Sequence, residues 1–242
     1  MLRGTGEERE GALLRRIRNA GQTSKAGSFG FVTGAESGAK HRAMTVVARI
    51  DRAERVGDDI ARLVAAKVDG IEVAARTPED VRALAEALTG ADIPYGVYIA
   101  ASEGLDTTTL TASDGLDWMH VTAEAPARLL AEKAGKDADG KGRTRLVGVS
   151  PDLPPGRLAG VAGLKADIVV VDRPAATGPF TVETLLALRT IQSATRGPVL
   201  AGTALGILPD DIQVLQDNGV AGVLVTGGPA TVEAFIEAIE RL

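Results

Sequence analysis

Cysteine is absent from this 242-residue chain. Its absence excludes disulfides, thiolate nucleophiles and zinc–thiolate sites. Aromatic residues make up only 3%, too few to build a surface on which bases stack. No apolar run approaches the roughly 18 residues of a membrane-spanning helix. The first ten residues, MLRGTGEERE, are charged and lack an apolar core of signal-peptide length. These absences lead us to expect a cytoplasmic protein with no membrane and no nucleic-acid partner. Charge agrees: the net value is −5, and an acidic body repels a duplex.

The charge is unevenly spread. Residues 1–43 carry eight Lys/Arg against four Asp/Glu, and residues 44–242 carry nineteen against twenty-eight. The amino-terminal part is therefore read as a basic, Gly/Ser-containing extension. In it Leu13, Leu14 and Ile17 fall on one side of a short helical pattern, and Arg15, Arg16 and Arg18 supply the charge. The extension is expected to cover one end of the body, and an anionic partner for its arginines is the sharper alternative. His41 is given no role.

What the chain does have is aliphatic sequence. Hydrophobic residues make up 45%, mainly Ala, Val, Leu and Ile, which suits parallel strands buried on both faces. Eight strand-like runs follow Met44: Thr45–Ile50, Gly70–Ala74, Tyr95–Ala100, Trp118–Thr122, Leu146–Ser150, Asp167–Asp172, Pro198–Ala201 and Ala221–Val225. Helical patterns separate them, for instance 58–67, 78–88 and 181–192. The second of these has Thr77 as its N-cap, Pro78 in the first turn and the acids Glu79 and Asp80 behind it. Strand–helix alternation at about 25 residues per unit, in a chain near the usual 250 or so, predicts a (β/α)8 TIM barrel over residues 44–242.

In such a barrel, reactive groups project from the carboxyl ends of the strands. Glu72 stands inside an apolar run, and alternation puts it on one face with Ala74 and Arg76. If that face is inward, Glu72, Arg49 after strand one, His120 on strand four and Asp172 after strand six are the candidate catalytic groups. Internal pairing of Glu72 with Arg49 is the competing structural role. Glu72, His120 and Asp172 also leave a divalent metal open, with no cofactor assigned. Glycine-rich turns follow the last two strands. Gly202, Thr203 and Gly206 in one, and Thr226, Gly227 and Gly228 in the other, suit an anion such as phosphate. Arg76 and Arg173 are the added candidate anion contacts.

The stretch GIEVAARTPEDVRALAEAL, Gly70 to Leu88, together with these glycine turns, resembles the phosphate-binding TIM barrels. That group includes thiamine-phosphate synthase, indole-glycerol-phosphate synthase and, most alike locally, the 2-keto-3-deoxy-6-phosphogluconate aldolases. The resemblance sets Glu72 at those aldolases' catalytic glutamate, Arg76 and Thr77 at their Arg-Thr pair and Arg49 near their strand-one arginine. It also implies a Schiff-base lysine on strand six. Here that strand reads Asp167-Ile168-Val169-Val170-Val171-Asp172, and Lys165 lies before it, at the wrong end. Without an amine nucleophile, class I aldol chemistry is excluded.

Two functions follow. One is lyase or isomerase chemistry, without a Schiff base, on a phosphorylated or carboxylated metabolite. The other is a non-catalytic barrel that senses an anionic ligand or joins a partner protein. Barrels often associate through their helices, so a homo-oligomer is compatible with either.

Overall fold

The computed structural model describes residues 11–23, 42–51, 56–75, 77–99, 116–123, 125, 130, 143–164, 166–173 and 178–242. Arg76, His41, Lys165 and most of the Gly/Ser-containing part of the extension lie outside them.

Eight parallel strands close into a barrel in chain order. They are β1 (Thr45–Ile50), β2 (Gly70–Ala74), β3 (Tyr95–Ile99), β4 (Trp118–Val121), β5 (Thr144–Val149), β6 (Ile168–Val171), β7 (Val199–Gly202) and β8 (Gly222–Thr226). The expected (β/α)8 TIM barrel is the observed fold. Each strand is buried on both faces, and alternation sorts its residues into two cores. Val46, Ala48 and Ile50 join Ile71 and Val73 in the layer between strands and helices. Val47, Leu146, Ile168, Val170, Leu200 and Leu224 fill the barrel interior.

The described helices are α1 (Ala12–Thr23), α2 (Val56–Ala65), α3 (Pro78–Ala87), α4 (Pro155–Gly163), α5 (Val182–Ala194), α6 (Ile212–Asp217) and α7 (Pro229–Glu240). The α3 start is as expected: Thr77 accepts from the Asp80 amide, and Asp80 accepts from the Thr77 amide at 2.8 Å. Asp210 and Asp211 end a 3-10 turn, Pro209–Asp211, and Asp211 is the N-cap of the six-residue α6.

The amino-terminal end of the barrel is closed by α1. Its Leu13, Leu14 and Ile17 pack into the interior core against a fully buried Trp118. Gly96 makes room for that ring, since a Cβ there would overlap the indole. On its polar side, Arg16 donates to the backbone oxygens of Asp69 (3.3 Å) and Asp92 (3.1 Å), so this arginine binds the body of the protein.

Three aspartates pin strand register at the same end. Asp69, Asp117 and Asp167 each stand one residue before an even-numbered strand. Each donates its amide to a residue of the preceding strand, Val46, Tyr95 or Arg145, at 2.9 Å. Each side chain then accepts that same residue's amide, at 2.8, 2.9 and 2.8 Å. The reciprocal pair satisfies two backbone groups where ladder bonding begins.

Candidate functional site

Near the carboxyl end of the barrel, one guanidinium gathers the polar interior. Strand pairing sets Arg49 of β1 beside Glu72 of β2. Arg49 Nε donates to Glu72 Oε1 at 2.7 Å, and another of its nitrogens donates to Asp172 Oδ2 at 2.9 Å. A third lies 3.2 Å from His120 Nδ1. The guanidinium carbon sits 3.8 Å from the centre of the Tyr98 ring, a cation–π contact. Arg49, Glu72, His120 and Asp172 thus come together from four strands, as alternation suggested.

Their environments differ. Glu72 has 0% exposure, and both its oxygens are engaged: Oε1 by Arg49, Oε2 by Trp118 Nε1 at 3.2 Å. Burial opposes ionisation of Glu72. The Arg49 charge and the His120 ring outweigh that opposition, lowering the carboxyl pKa to about 2. For Arg49, burial works against the charge, but Glu72 and Asp172 prevail and raise its pKa. Asp172 is the opposite case. Burial raises its pKa above the ordinary carboxylate value, and Arg49 together with the Arg173 amide, 2.9 Å from Oδ1, offsets only part of that. One guanidinium cannot fully compensate two buried carboxylates, and the deeper one is compensated first. Asp172 also keeps 12% side-chain exposure, so it is the carboxylate that faces the mouth.

His120 is sealed in. Its Nδ1 lies 3.2–3.3 Å from both Glu72 oxygens as well as from Arg49. With the proton on Nδ1 it donates to Glu72; with the proton on Nε2 it accepts from Arg49. Nε2 is buried without a hydrogen-bond partner among the described residues, and a Cβ on Gly148 would come within 3.0 Å of it.

The glycine turns divide into packing and surface. A Cβ on Gly202 would overlap the Asp172 carboxylate, so this glycine makes room for an acid. Thr203 opens a 3-10 turn, and its hydroxyl accepts the Thr226 amide at 3.0 Å, tying the two turns together. Gly206, at φ 82°, is backed against residues 178–180 and accepts the Phe180 amide at 3.2 Å. Gly227 has φ 149°, and Gly228 is the N-cap of α7, which has no side-chain cap. The Arg173 amide donates to Asp172 Oδ1 at 2.9 Å, and its side chain donates to Asp152 Oδ1 at 3.2 Å.

Among the described residues, no group of three or more His, Asp or Glu side chains is placed to hold a metal ion. The Arg49 guanidinium lies between Glu72 and Asp172. No described helix is long and apolar enough to cross a membrane.

Sequence reasoning did not foresee Trp118 as a donor to Glu72, or Gly202 as clearance for Asp172. For the first a signal was present, because Trp118 and His120 share the face that alternation turns inward. For the second there was none, because the contact depends on the relative height of two strands.

The class these features define is the (β/α)8 barrel with a charged cluster in its mouth. No family model and no curated protein matches the chain, so the aldolase resemblance has no support from sequence. Solved structures do resemble it. A mutant tryptophan synthase α-subunit from the hyperthermophile Pyrococcus furiosus superposes with TM-score 0.63 at 14% identity, covering 83% of this chain and 99% of that one. Mycobacterium tuberculosis tryptophan synthase does so with TM-score 0.64 at 16% identity, covering 93% and 98%. At these identities the likeness is one of fold.

Proposed function

We propose that this barrel is a small-molecule enzyme that performs lyase or isomerase chemistry, without a Schiff base, on a phosphorylated or carboxylated metabolite. The observation that carries the reading is Asp172. It is a carboxylate with a raised pKa at the carboxyl end of β6, partly exposed to the mouth and held in place by Arg49. A raised pKa brings a carboxyl closer to the range in which it can both take and return a proton. In this reading Asp172 moves the proton, while Arg49, fixed by Glu72, steadies negative charge that develops beside it. Glu72 and His120 are positioning residues that hold the guanidinium. The anionic end of the ligand rests on Gly227, Gly228 and the start of α7, where backbone amides and the helix dipole favour negative charge. Gly202 and Gly206 make the turns fit.

The second reading is a barrel that binds an anion and does no chemistry. It is favoured by Glu72, which is fully enclosed by its own partners. One experiment separates the two. Thermal unfolding with phosphate and a panel of sugar and keto-acid phosphates finds a ligand, whose saturation at a hundredfold excess over Kd stabilises the fold by about 2.7 kcal/mol. That ligand is then incubated in heavy water with the protein and followed by NMR. Deuterium uptake that disappears in Asp172→Asn supports the enzyme. Binding without uptake supports the second reading, and no binding anywhere in the panel defeats both.

A further inference from the structure

The Trp118 indole, the only one in the chain, extends from β4 across β3 to β2. It has room because both positions it crosses are glycine. A Cβ on Gly96, its strand partner, would overlap the ring, and a Cβ on Gly70 would lie 2.7 Å from the outer edge at Cη2. Gly70 and Glu72 share the inward face of β2. An indole seated over these glycines therefore brings its N–H to Glu72 Oε2, at 3.2 Å.

The strands hold the ring from the sides, and α1 holds it from the amino-terminal end. Leu13 Cδ1 lies 3.4 Å from the same point over Gly70 that the indole edge approaches. Leu13, Leu14 and Ile17 belong with Trp118 to one buried cluster, and Leu13 and Trp118 are both fully enclosed. The position of the ring thus depends on how deeply α1 is seated.

What the indole does for Glu72 follows from the chemistry of a carboxylate. The last torsion of a glutamate side chain has broad wells, so hydrogen bonds rather than rotamers set the plane of the group. Arg49 Nε fixes Oε1 at 2.7 Å, and the indole fixes Oε2. His120 Nδ1 lies 3.2–3.3 Å from both oxygens and does not choose between them. At 3.2 Å the indole bond is at the long end of the range for an N–H donor, and a small shift of the ring breaks it. Glu72 is then free to turn, and the guanidinium it holds, which reaches Asp172 at 2.9 Å, loses its fixed direction.

We propose that Trp118 is a positioning residue for the Arg49 cluster, and that α1, by seating the indole, sets the direction of a guanidinium near the opposite end of the barrel. The aspartates that pin strand register take no part in this, since their carboxylates meet backbone amides. The proposal concerns the protein without ligand, so it stands or falls apart from any chemistry of the mouth.

The test is NMR spectroscopy of the full chain labelled with nitrogen-15, carrying His41→Gln so that His120 gives the only imidazole signals. Leu13→Ala is expected to move the single indole proton upfield, as a weakened bond to a carboxylate does, and Leu13→Val to move it part of the way. Trp118→Phe keeps an aromatic ring and removes the donor. The His120 ring nitrogens are then expected to shift toward stronger donation from Nδ1, because Glu72 Oε2 has lost its other donor. Leu13→Ala should shift them the same way. Ile191→Ala, a comparable truncation on α5 in the outer core, should move neither the indole nor the imidazole signals. If the His120 signals stay in place in both Trp118→Phe and Leu13→Ala, or if Ile191→Ala moves them as far, α1 and Trp118 only fill space and the proposal is refuted. Where Trp118→Phe fails to fold, the graded pair of variants at Leu13 decides.

Discussion

The two ends of this barrel use the same residue types for opposite purposes. At the amino-terminal end, Asp69, Asp117 and Asp167 each face a backbone amide of a neighbouring strand, and α1 fills the opening with Leu13, Leu14 and Ile17. The amides of Val46, Tyr95 and Arg145 each have a carboxylate acceptor there. At the other end, two carboxylates, an imidazole and a tyrosine ring surround a single guanidinium. There the acceptors outnumber the cations, and burial raises the pKa of Asp172, as it does that of Asp69 at the other end. Matched polar groups stabilise a fold, and a mismatched set stores the capacity to bind or move a proton.

The largest effect that bears on this contrast should come from Arg49→Met, which leaves Glu72 as a buried charge without its cation. A loss of about 3–5 kcal/mol in urea-unfolding free energy is expected. A loss below about 1 kcal/mol would mean that the cluster is already hydrated and that the two ends do not differ in kind.

Next comes the dependence of stability on pH. The Glu72 carboxyl is depressed in the fold from an ordinary 4.5 to about 2. Its contribution, about 3 kcal/mol by linkage, is present above about pH 4.5 and lost as pH falls through about 2. Asp172 has the opposite sign: its pKa is raised from 3.8, so its contribution is present below pH 3.8 and lost as pH rises through the folded value. Unfolding free energies measured from pH 2 to 7 should therefore lose their acid limb in Glu72→Gln and their upper slope in Asp172→Asn. Identical pH profiles for the two variants would contradict the assignment of separate roles.

The smallest effect belongs to the other end. Asp117→Ala leaves the Tyr95 amide without its side-chain acceptor and should cost about 1–3 kcal/mol. Affinity for any ligand of the mouth should be unchanged. A weaker ligand affinity in this variant would show that the register pins also act on the mouth.

The barrel was legible because its eight apolar runs are short, rich in β-branched residues and evenly separated. Those properties are local, and β1 and β2 came out with the bounds that composition suggests. Arg49, Glu72, His120 and Asp172 were legible as a group because alternation and strand ends select them. Their differences were not. Whether a carboxylate sits at full depth, like Glu72, or one step nearer solvent, like Asp172, depends on strand stagger, and no local pattern encodes it. The packing role of the glycines was hidden for a related reason. Gly202 and Gly206 occupy the turns where an anion site is sought, yet each makes room for a neighbouring part of the chain, the Asp172 carboxylate in one case and residues 178–180 in the other.

The aspartate pins have a consequence for how the molecule is put together. Asp69, Asp117 and Asp167 recur once per pair of strands, and Ala221 holds the fourth place, donating its amide to Val199 at 2.9 Å like the others but without a carboxylate to complete the exchange. The amide bond therefore repeats once per quarter of the barrel, and three of the four repeats add the carboxylate. Three residues beyond these marks stand Glu72, His120, Val170 and Leu224. At this level two quarters carry polar groups and two carry hydrocarbon, and the β5–β6 quarter adds its carboxylate, Asp172, two residues further on. The Arg49 cluster is therefore a local departure from a repeat that the backbone keeps all the way round.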